Sequence, residues 1–137
     1  MNKTTRAELI RRAILAKETS YSPYSQFRVG AAVLTDDDEI FSGCNVENAS
    51  YGLAICAERN AIFQMVFAGK RKIKVVAVST DEPTFVTPCG ACRQVIAEFA
   101  DSNTQVLFIA KNGKTKTVKF SAIFPTPPTL DKLKKKR

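Results

Sequence analysis

Two short segments, each at the predicted start of a helix, most constrain how this chain can fold. The first reads Cys56-Ala57-Glu58 and the second reads Pro88-Cys89-Gly90-Ala91-Cys92. Three thiols can hold one metal ion only if the fold brings the two segments together. A zinc ion on three protein ligands keeps its fourth position for a reactive water, which is the catalytic type of site. We therefore predict zinc ligands at Cys56, Cys89 and Cys92, with the Glu58 carboxylate beside them.

Two other interpretations of the cysteines stay open at this point. Free cysteine is among the most buried residue types, and Cys92 alone could be a core residue of its helix. A structural zinc with Cys44 as a fourth ligand is the second interpretation. Structural sites usually draw their ligands as two close pairs, and Cys44 with Cys56 is not such a pair.

The absence of histidine narrows the chemistry further. The chain has 137 residues, four of them cysteine and none of them histidine. Without histidine, neither Ser-His-Asp nor Cys-His catalysis is possible. Any zinc must then be held by sulfur or carboxylate.

Composition predicts one ordinary globular domain spanning residues 1–137. Hydrophobic residues make up 45% of the chain and charged residues 25%, as in soluble domains with a single core. No apolar run approaches the ~20 residues of a membrane span, and the N-terminus lacks the apolar stretch of a secretion signal. We expect a cytoplasmic protein with no membrane partner, whose cysteines are ligands or free thiols.

The net charge of +8 raises the question of nucleic-acid binding. Much of the excess lies in Lys70-Arg71-Lys72 and in a basic C-terminal tail at 128–137. Such runs are usually solvated loops and tails, so nucleic acid is not the expected partner.

Hydrophobic periodicity predicts an order of helix, two strands, helix, strand, helix, strand, strand. The expected bounds are a helix over Arg6–Glu18 started by the capping box Thr5-Arg6-Ala7-Glu8, strands over Phe27–Val33 and Ile40–Cys44, a helix over Ile55–Ala68, a strand over Ile73–Ser79, a helix from Cys89, and strands over Val106–Ala110 and Thr115–Phe120. Helices interleaved with strands indicate an α/β domain with a mixed sheet of about five strands. The middle β-α-β-α-β portion is expected to supply parallel neighbours, and ligands gather where such strands lead into helices.

The charge of the predicted metal site suggests two supporting residues. Three thiolates exceed the charge of Zn²⁺ by one, although helix N-termini favour thiolates. Arg59 directly follows Glu58 and is placed to donate to a ligand sulfur, and Gln94 could do the same from the other helix.

Four stretches of the chain match one family in order and spacing: Tyr21 to Ala32, Gly43 to Gly52, Cys56 to Arg59 and Pro88 to Gln94. The last two contain C-x-E…P-C-x-x-C, the three-cysteine form of the signature of zinc deaminases. Together the four stretches resemble the small homotetrameric zinc-dependent cytidine deaminases. The resemblance implies a three-layer α/β sandwich with helices on both faces of the sheet.

The resemblance also implies a role for each matching residue. One Zn²⁺ per subunit would be bound by Cys56, Cys89 and Cys92, with Glu58 as the catalytic proton shuttle. The substrate-binding residues it implies are Asn45 and Glu47 at the ribose hydroxyls, Val46 and Ala57 lining the site, Phe27 against the pyrimidine ring, and Tyr51 reaching the active site of a neighbouring subunit.

The function implied is hydrolytic deamination of cytidine and deoxycytidine to uridine and deoxyuridine plus ammonia, in pyrimidine salvage. One segment departs from the family, because Pro128 stands where a C-terminal aromatic residue would approach a neighbour's pocket. Two alternatives remain: deamination of a modified cytosine nucleoside such as an antibiotic, and a zinc-containing nucleic-acid-binding protein.

Overall fold

The structure is a computed structural model that describes residues 1–130. Its helices and strands are α1 (Lys3–Glu18), β1 (Val29–Thr35), β2 (Ile40–Cys44), α2 (Ala57–Phe67), β3 (Ile73–Thr80), α3 (Gly90–Phe99), β4 (Gln105–Ile109), β5 (Thr115–Lys119) and α4 (Phe120–Ile123), with a 3₁₀ turn at Tyr51–Leu53. Within residues 1–130, no helix combines the length and the hydropathy of a membrane span. The basic tail predicted at 128–137 lies outside the described residues from position 131 onward.

The strands form a mixed sheet in the order β2-β1-β3-β4-β5, which confirms the predicted α/β class and number of strands. Among these five strands, only β3 and β4 are parallel neighbours; the other pairs are antiparallel. The expectation of parallel neighbours throughout the middle of the chain was therefore wrong in part. β1 inserts between β2 and β3, so these two strands run in the same direction without touching.

Two separate apolar cores cover the two faces of the sheet, which gives the three layers. On one face, α1 packs on alternate residues of β1, β3 and β4; the buried residues there are Leu9, Ala13, Ala32, Leu34, Val75, Ala77, Leu107 and Ile109. On the other face lie α2 and α3, around a larger core that includes Ala31, Val33, Ala61, Ile62, Met65, Val76, Val78, Ile96, Val106 and Phe108. Alternate strand residues point to opposite faces, so each central strand is apolar on both sides.

The first helix begins three residues before its predicted start. Asn2 is its N-cap, and the Asn2 side-chain oxygen accepts a hydrogen bond from the Thr5 backbone N–H at 2.8 Å. The predicted capping box at Thr5 is thus incorrect. Asparagine caps a helix at least as well as threonine, and Asn2 lies one turn earlier.

Glycines in β1 and β2 allow the helices to approach the sheet closely. A Cβ atom at Gly30 would lie 2.2 Å from the carbonyl oxygen of Ala13 in α1. A Cβ atom at Gly43 would lie 2.5 Å from the backbone nitrogen of Ala61 in α2. Because both obstacles are helix backbone, a side chain at either position would move a whole helix.

We expect Gly30→Ala to lower the free energy of unfolding by about 3 kcal/mol, because α1 must shift away from its core. A Cβ atom at Gly52 would meet nothing within 4 Å, so Gly52→Ala serves as the control and should change stability by less than about 0.5 kcal/mol. Urea unfolding followed by circular dichroism measures both. Equal stability of the two variants would contradict the close packing at Gly30.

Candidate active site

The N-termini of α2 and α3 bring three cysteines together on one face of the sheet. Cys56 is the N-cap of α2, Cys89 is the N-cap of α3, and Cys92 lies in the first turn of α3. Their sulfur atoms all lie within 4.8 Å of one another, and the Cys56 and Cys89 sulfurs are 3.7 Å apart. We call these three residues the cysteine cluster.

The geometry of the cysteine cluster fits a zinc ion. Tetrahedral zinc holds sulfur at about 2.3 Å, so two sulfur ligands lie about 3.8 Å apart. Cys44 is not part of the cluster, because its thiol donates to the Thr19 carbonyl oxygen at 3.4 Å. The four-cysteine structural site is therefore not formed, and one Zn²⁺ on three sulfurs is the arrangement that fits.

Hydrogen bonding shifts the pKa values of two thiols in the cluster in opposite directions. The Cys92 thiol, followed by the Arg59 guanidinium, lowers the pKa of Cys56 to about 5. The same contact with Cys56, together with burial, raises the pKa of Cys92. The Cys89 sulfur accepts the Cys92 backbone N–H at 3.4 Å, a helix N-terminal contact that favours thiolate. Zinc binding requires all three thiols to lose their protons.

The two residues predicted to donate to ligand sulfur lie in different surroundings. Arg59 Nη2 lies 3.5 Å from the Cys56 sulfur, so its positive charge is beside the cluster. Gln94 Nε2 instead donates to the Pro128 carbonyl oxygen at 3.3 Å. The Gln94 prediction needs correction for this reason: its side chain reaches the C-terminal segment, whose position the sequence did not reveal.

Glu58 combines a helix N-terminal position with almost complete burial. It lies in the first turn of α2, and only 5% of its surface is exposed. Burial raises the pKa of Glu58 to about 7, although hydrogen bonds from its own backbone N–H and from Cys92 oppose the rise. A carboxyl group with such a pKa can both accept and release a proton near neutral pH.

A cavity of about 220 Å³ opens beside Glu58 and the cysteine cluster. Its lining is mainly apolar and consists of Phe27, Val29, Asn45, Cys56, Ala57, Glu58, Val78, Thr80, Val86, Thr87 and Cys89. Three of the residues predicted to contact substrate, Phe27, Asn45 and Ala57, thus lie together here. A small, mostly apolar cavity with a few polar groups at one end is typical of a small-molecule site.

Sequence analysis did not identify several of the residues that line the cavity. Thr80 is the last residue of β3, and ligands in α/β sheets gather at the carboxyl ends of strands. That rule could have identified Thr80, and Val78 two residues before it on the same face. Val86 and Thr87 belong to an irregular loop, and no pattern in the sequence marks them.

Asn45 uses its side chain to shape the cavity wall. Its Nδ2 donates to the Phe27 carbonyl oxygen at 2.8 Å, and its Oδ1 accepts the Val29 backbone N–H at 3.0 Å. The Ser20 hydroxyl donates to the same oxygen. These bonds fix the start of β1, so the Phe27 ring is held where it lines the cavity.

Glu47 and Tyr51 line a second hollow of about 350 Å³, together with Tyr24 and Ser25. The Glu47 carboxylate accepts the backbone N–H groups of Tyr24 and Ser25 at 3.0 and 3.1 Å and the Ser25 hydroxyl. The Ser25 hydroxyl bond lowers the pKa of Glu47, so this carboxylate is an anion at neutral pH. Tyr51 is 83% exposed on the rim.

Val46 does not line the cavity, contrary to the sequence prediction. Its side chain is exposed, while its backbone N–H and carbonyl pair with Ile55 at 3.0 and 2.9 Å. Val46 therefore contributes through its backbone, because the paired Ile55 directly precedes Cys56. This bridge holds the loop of Asn45 and Glu47 against the start of α2.

Comparisons with known proteins agree with this site. Residues 3–109 match the family described as "Cytidine and deoxycytidylate deaminase zinc-binding region". The cytidine deaminase of Halalkalibacterium halodurans is 45% identical over 120 residues, which cover 88% of this chain and 91% of that protein. The cytidine deaminase of Sporosarcina psychrophila is 43% identical over 118 residues, covering 86% and 87%.

Solved structures give the same result. The crystal structure of cytidine deaminase from Burkholderia pseudomallei superposes with a TM-score of 0.85 at 40% sequence identity, covering 93% of this chain and 100% of that chain. That of the Mycobacterium tuberculosis cytidine deaminase gives a TM-score of 0.79 at 33% identity, covering 91% and 98%.

We expect the purified protein to hold one zinc ion per chain and Cys89→Ala to lose most of it, because two sulfurs cannot complete the site. Cys44→Ala is the matched control and should keep its zinc. Elemental analysis after gel filtration measures both. A zinc content that falls in Cys44→Ala as far as in Cys89→Ala would restore the four-cysteine interpretation.

Proposed function

This chain belongs to the zinc-dependent cytidine deaminase family, its reaction is the hydrolytic deamination of cytidine, and we propose that Glu58 carries the protons of that reaction. The observation that carries the proposal is the position of a buried carboxyl group, with a pKa near 7, in one cavity with a three-sulfur zinc site. The overall change replaces the C4 amino group of cytosine by oxygen from water and releases ammonia.

The proton transfers assign a definite task to Glu58. Its carboxylate takes a proton from the attacking water and delivers it to the ring nitrogen next to C4, which makes C4 more electrophilic. The second water proton then passes through the same carboxyl group to the departing amino group. Ammonia leaves, and Glu58 returns to its starting state, so one residue serves as base and acid in turn.

The zinc ion bound by the cysteine cluster supplies Lewis-acid chemistry that lowers the pKa of a water from 15.7 toward ~7. The chain's own part is to hold the sulfurs at two helix N-termini and to place the Arg59 guanidinium beside the Cys56 sulfur. This cation offsets the excess negative charge of three thiolates on a divalent ion.

Cytidine binding is proposed in the 220 Å³ cavity, with its ribose directed toward the second hollow. The Phe27 ring would cover the pyrimidine, an apolar contact that excludes water. Asn45, which has a second Nδ2 hydrogen to donate, and Glu47, whose carboxylate accepts, would bind the ribose hydroxyls. Deoxycytidine is proposed as a second substrate, because it keeps the base and the remaining hydroxyls.

Replacing Glu58 by Gln is the direct test of the proton shuttle. The amide keeps the shape but cannot carry protons, so kcat should fall about a thousand-fold, while the zinc content stays at one per chain. Ammonia release from cytidine and elemental analysis measure the two quantities.

Glu98→Gln is the control for this substitution, since Glu98 is exposed on α3 away from the cavity. Its kcat should remain within two-fold of the unmodified protein, following the small effects of most surface changes. Undiminished turnover in Glu58→Gln would remove Glu58 from the mechanism.

We further propose that the protein works as a homotetramer in the cytoplasm, in pyrimidine salvage. Large apolar side chains exposed on and near α2 support the assembly: Phe67 is 92% exposed, Tyr51 83% and Leu53 64%. Large apolar side chains exposed to this degree are typical of protein–protein contacts. Within such an assembly, Tyr51 would complete the active site of a neighbouring subunit.

Subunit complementation tests whether Tyr51 acts on a neighbour. Tyr51→Ala and Glu58→Gln should each have low activity alone. Mixed oligomers from co-expression should recover part of the activity, because some sites then contain both Glu58 and a neighbour's Tyr51. Gel filtration checks assembly, and no recovery in mixed oligomers would place Tyr51 in its own subunit's site.

The two alternative functions receive no support from the comparisons. The relatives described above carry the name cytidine deaminase.

A further inference from the structure

We infer that Arg93 is a positioning residue that fixes one wall of the substrate cavity. Its side chain joins three parts of the chain: the loop that supplies Val86 and Thr87 to the cavity, the helix turn that carries two cysteines, and the end of α4. The inference rests on the cavity proposed above as the cytidine site.

The three parts are joined by hydrogen bonds from one guanidinium group. Arg93 Nε donates to the Pro88 carbonyl oxygen at 2.9 Å, and Nη1 donates to the Ile123 carbonyl oxygen at 2.9 Å. Nη2 donates to the Thr87 hydroxyl oxygen at 3.3 Å. Thr87 and Pro88 precede α3 in the sequence and Ile123 follows it, so the Arg93 guanidinium lies between the cavity loop and the C-terminal segment.

All three acceptors are uncharged. Within residues 1–130, none of the ion pairs includes Arg93. The residue therefore does not serve as half of a salt bridge. The role of Arg93 depends on its rigid planar guanidinium group, which orients several donors at fixed angles. Lysine cannot reproduce this geometry.

The cavity loop is held independently at its other end. The Phe85 ring packs on the buried Phe108 ring with 6.3 Å between centroids, and the Glu82 carbonyl oxygen accepts the Lys111 backbone N–H at 2.9 Å. Between these anchors and Arg93 lie Val86 and Thr87, the two residues that face the cavity. Loss of Arg93 would free only the end that adjoins Cys89.

Because the Arg93 side chain contacts the cavity wall and not the zinc ligands or Glu58, its loss is expected to change KM rather than kcat. Arg59 contacts a ligand sulfur, whereas Arg93 contacts the wall. Glu58 and Cys56 lie at the start of α2, outside the segments to which Arg93 donates. A displaced wall weakens the hold on substrate, so KM rises while the proton shuttle and kcat are retained.

The test compares Arg93→Lys with the control Arg71→Lys. Arg71 likewise donates to uncharged acceptors, the backbone carbonyls of Val66 and Lys70, both at 2.9 Å and away from the cavity. For Arg93→Lys we expect KM for cytidine to rise about ten-fold, with kcat within two-fold and zinc at one per chain. Arg71→Lys should leave all three quantities unchanged.

A double-mutant cycle with Thr87→Val gives a second measurement. Removing the hydroxyl acceptor should raise KM by about two-fold in the unmodified protein and have no further effect in Arg93→Lys. Full additivity would mean that Thr87 acts on substrate without Arg93 and would overturn the inference. So would an unchanged KM in Arg93→Lys, or loss of zinc or of the folded state in that variant.

A failure of the positioning role of Arg93 can be distinguished from a failure of the proposed function. If the unmodified protein and Arg71→Lys do not release ammonia from cytidine, the substrate site itself is wrong. If both do so normally, only the variants at Arg93 and Thr87 decide the positioning role.

Discussion

The site depends on the meeting of two helix N-termini against one face of the sheet. An isolated thiolate in a protein interior is costly, and three close together repel one another. The unpaired N–H groups and partial positive charge at the starts of α2 and α3 reduce that cost. The Arg59 guanidinium reduces it further. The close approach of α2 at Gly43 is therefore a requirement of the metal site as well as of the core.

At the same helix start, burial acts on Glu58 in the opposite sense. A helix N-terminus favours the carboxylate form, and burial disfavours it. Burial is the larger effect, because the pKa rises to about 7. One helical turn thus favours an anion at Cys56, which contacts donors, and brings the pKa of Glu58, which is nearly excluded from water, close to neutral pH. Zinc binding needs the Cys56 thiolate, whereas proton transfer needs a Glu58 carboxylate that can take up a proton and release it again.

The sequence predicted those parts of the structure that depend on local patterns. The apolar runs at Ile73–Ser79 and Val106–Ala110 gave β3 and β4 within one residue of their observed ends, because strands buried on both faces have few alternatives. The insertion of β1 between β2 and β3 was not predictable, since periodicity carries no information on strand order. The cysteines were identified because their spacing reflects the chemistry directly.

Sequence analysis did not predict the contacts of two site residues. Gln94 was assigned from its place on α3 and Val46 from the family resemblance, but the contacts of Gln94 are set by a segment distant in sequence and those of Val46 by backbone pairing. Asn45 lines the cavity as expected, yet its amide also secures the start of β1. The roles of Asn45 and Glu47 at a ribose stay predictions.

The C-terminal segment shows why a departure from the family's sequence is compatible with an intact site. Pro128 stands where the family resemblance implies an aromatic residue, so the ring expected there is absent. The contacts between this segment and α3, however, go to the backbone carbonyls of Ile123 and Pro128. Every residue, proline included, has a carbonyl acceptor. Arg93 and Gln94 therefore hold the backbone of the segment without using the side chain at position 128, so a change there alters the surface of the segment while these two hydrogen bonds to the metal-binding helix persist.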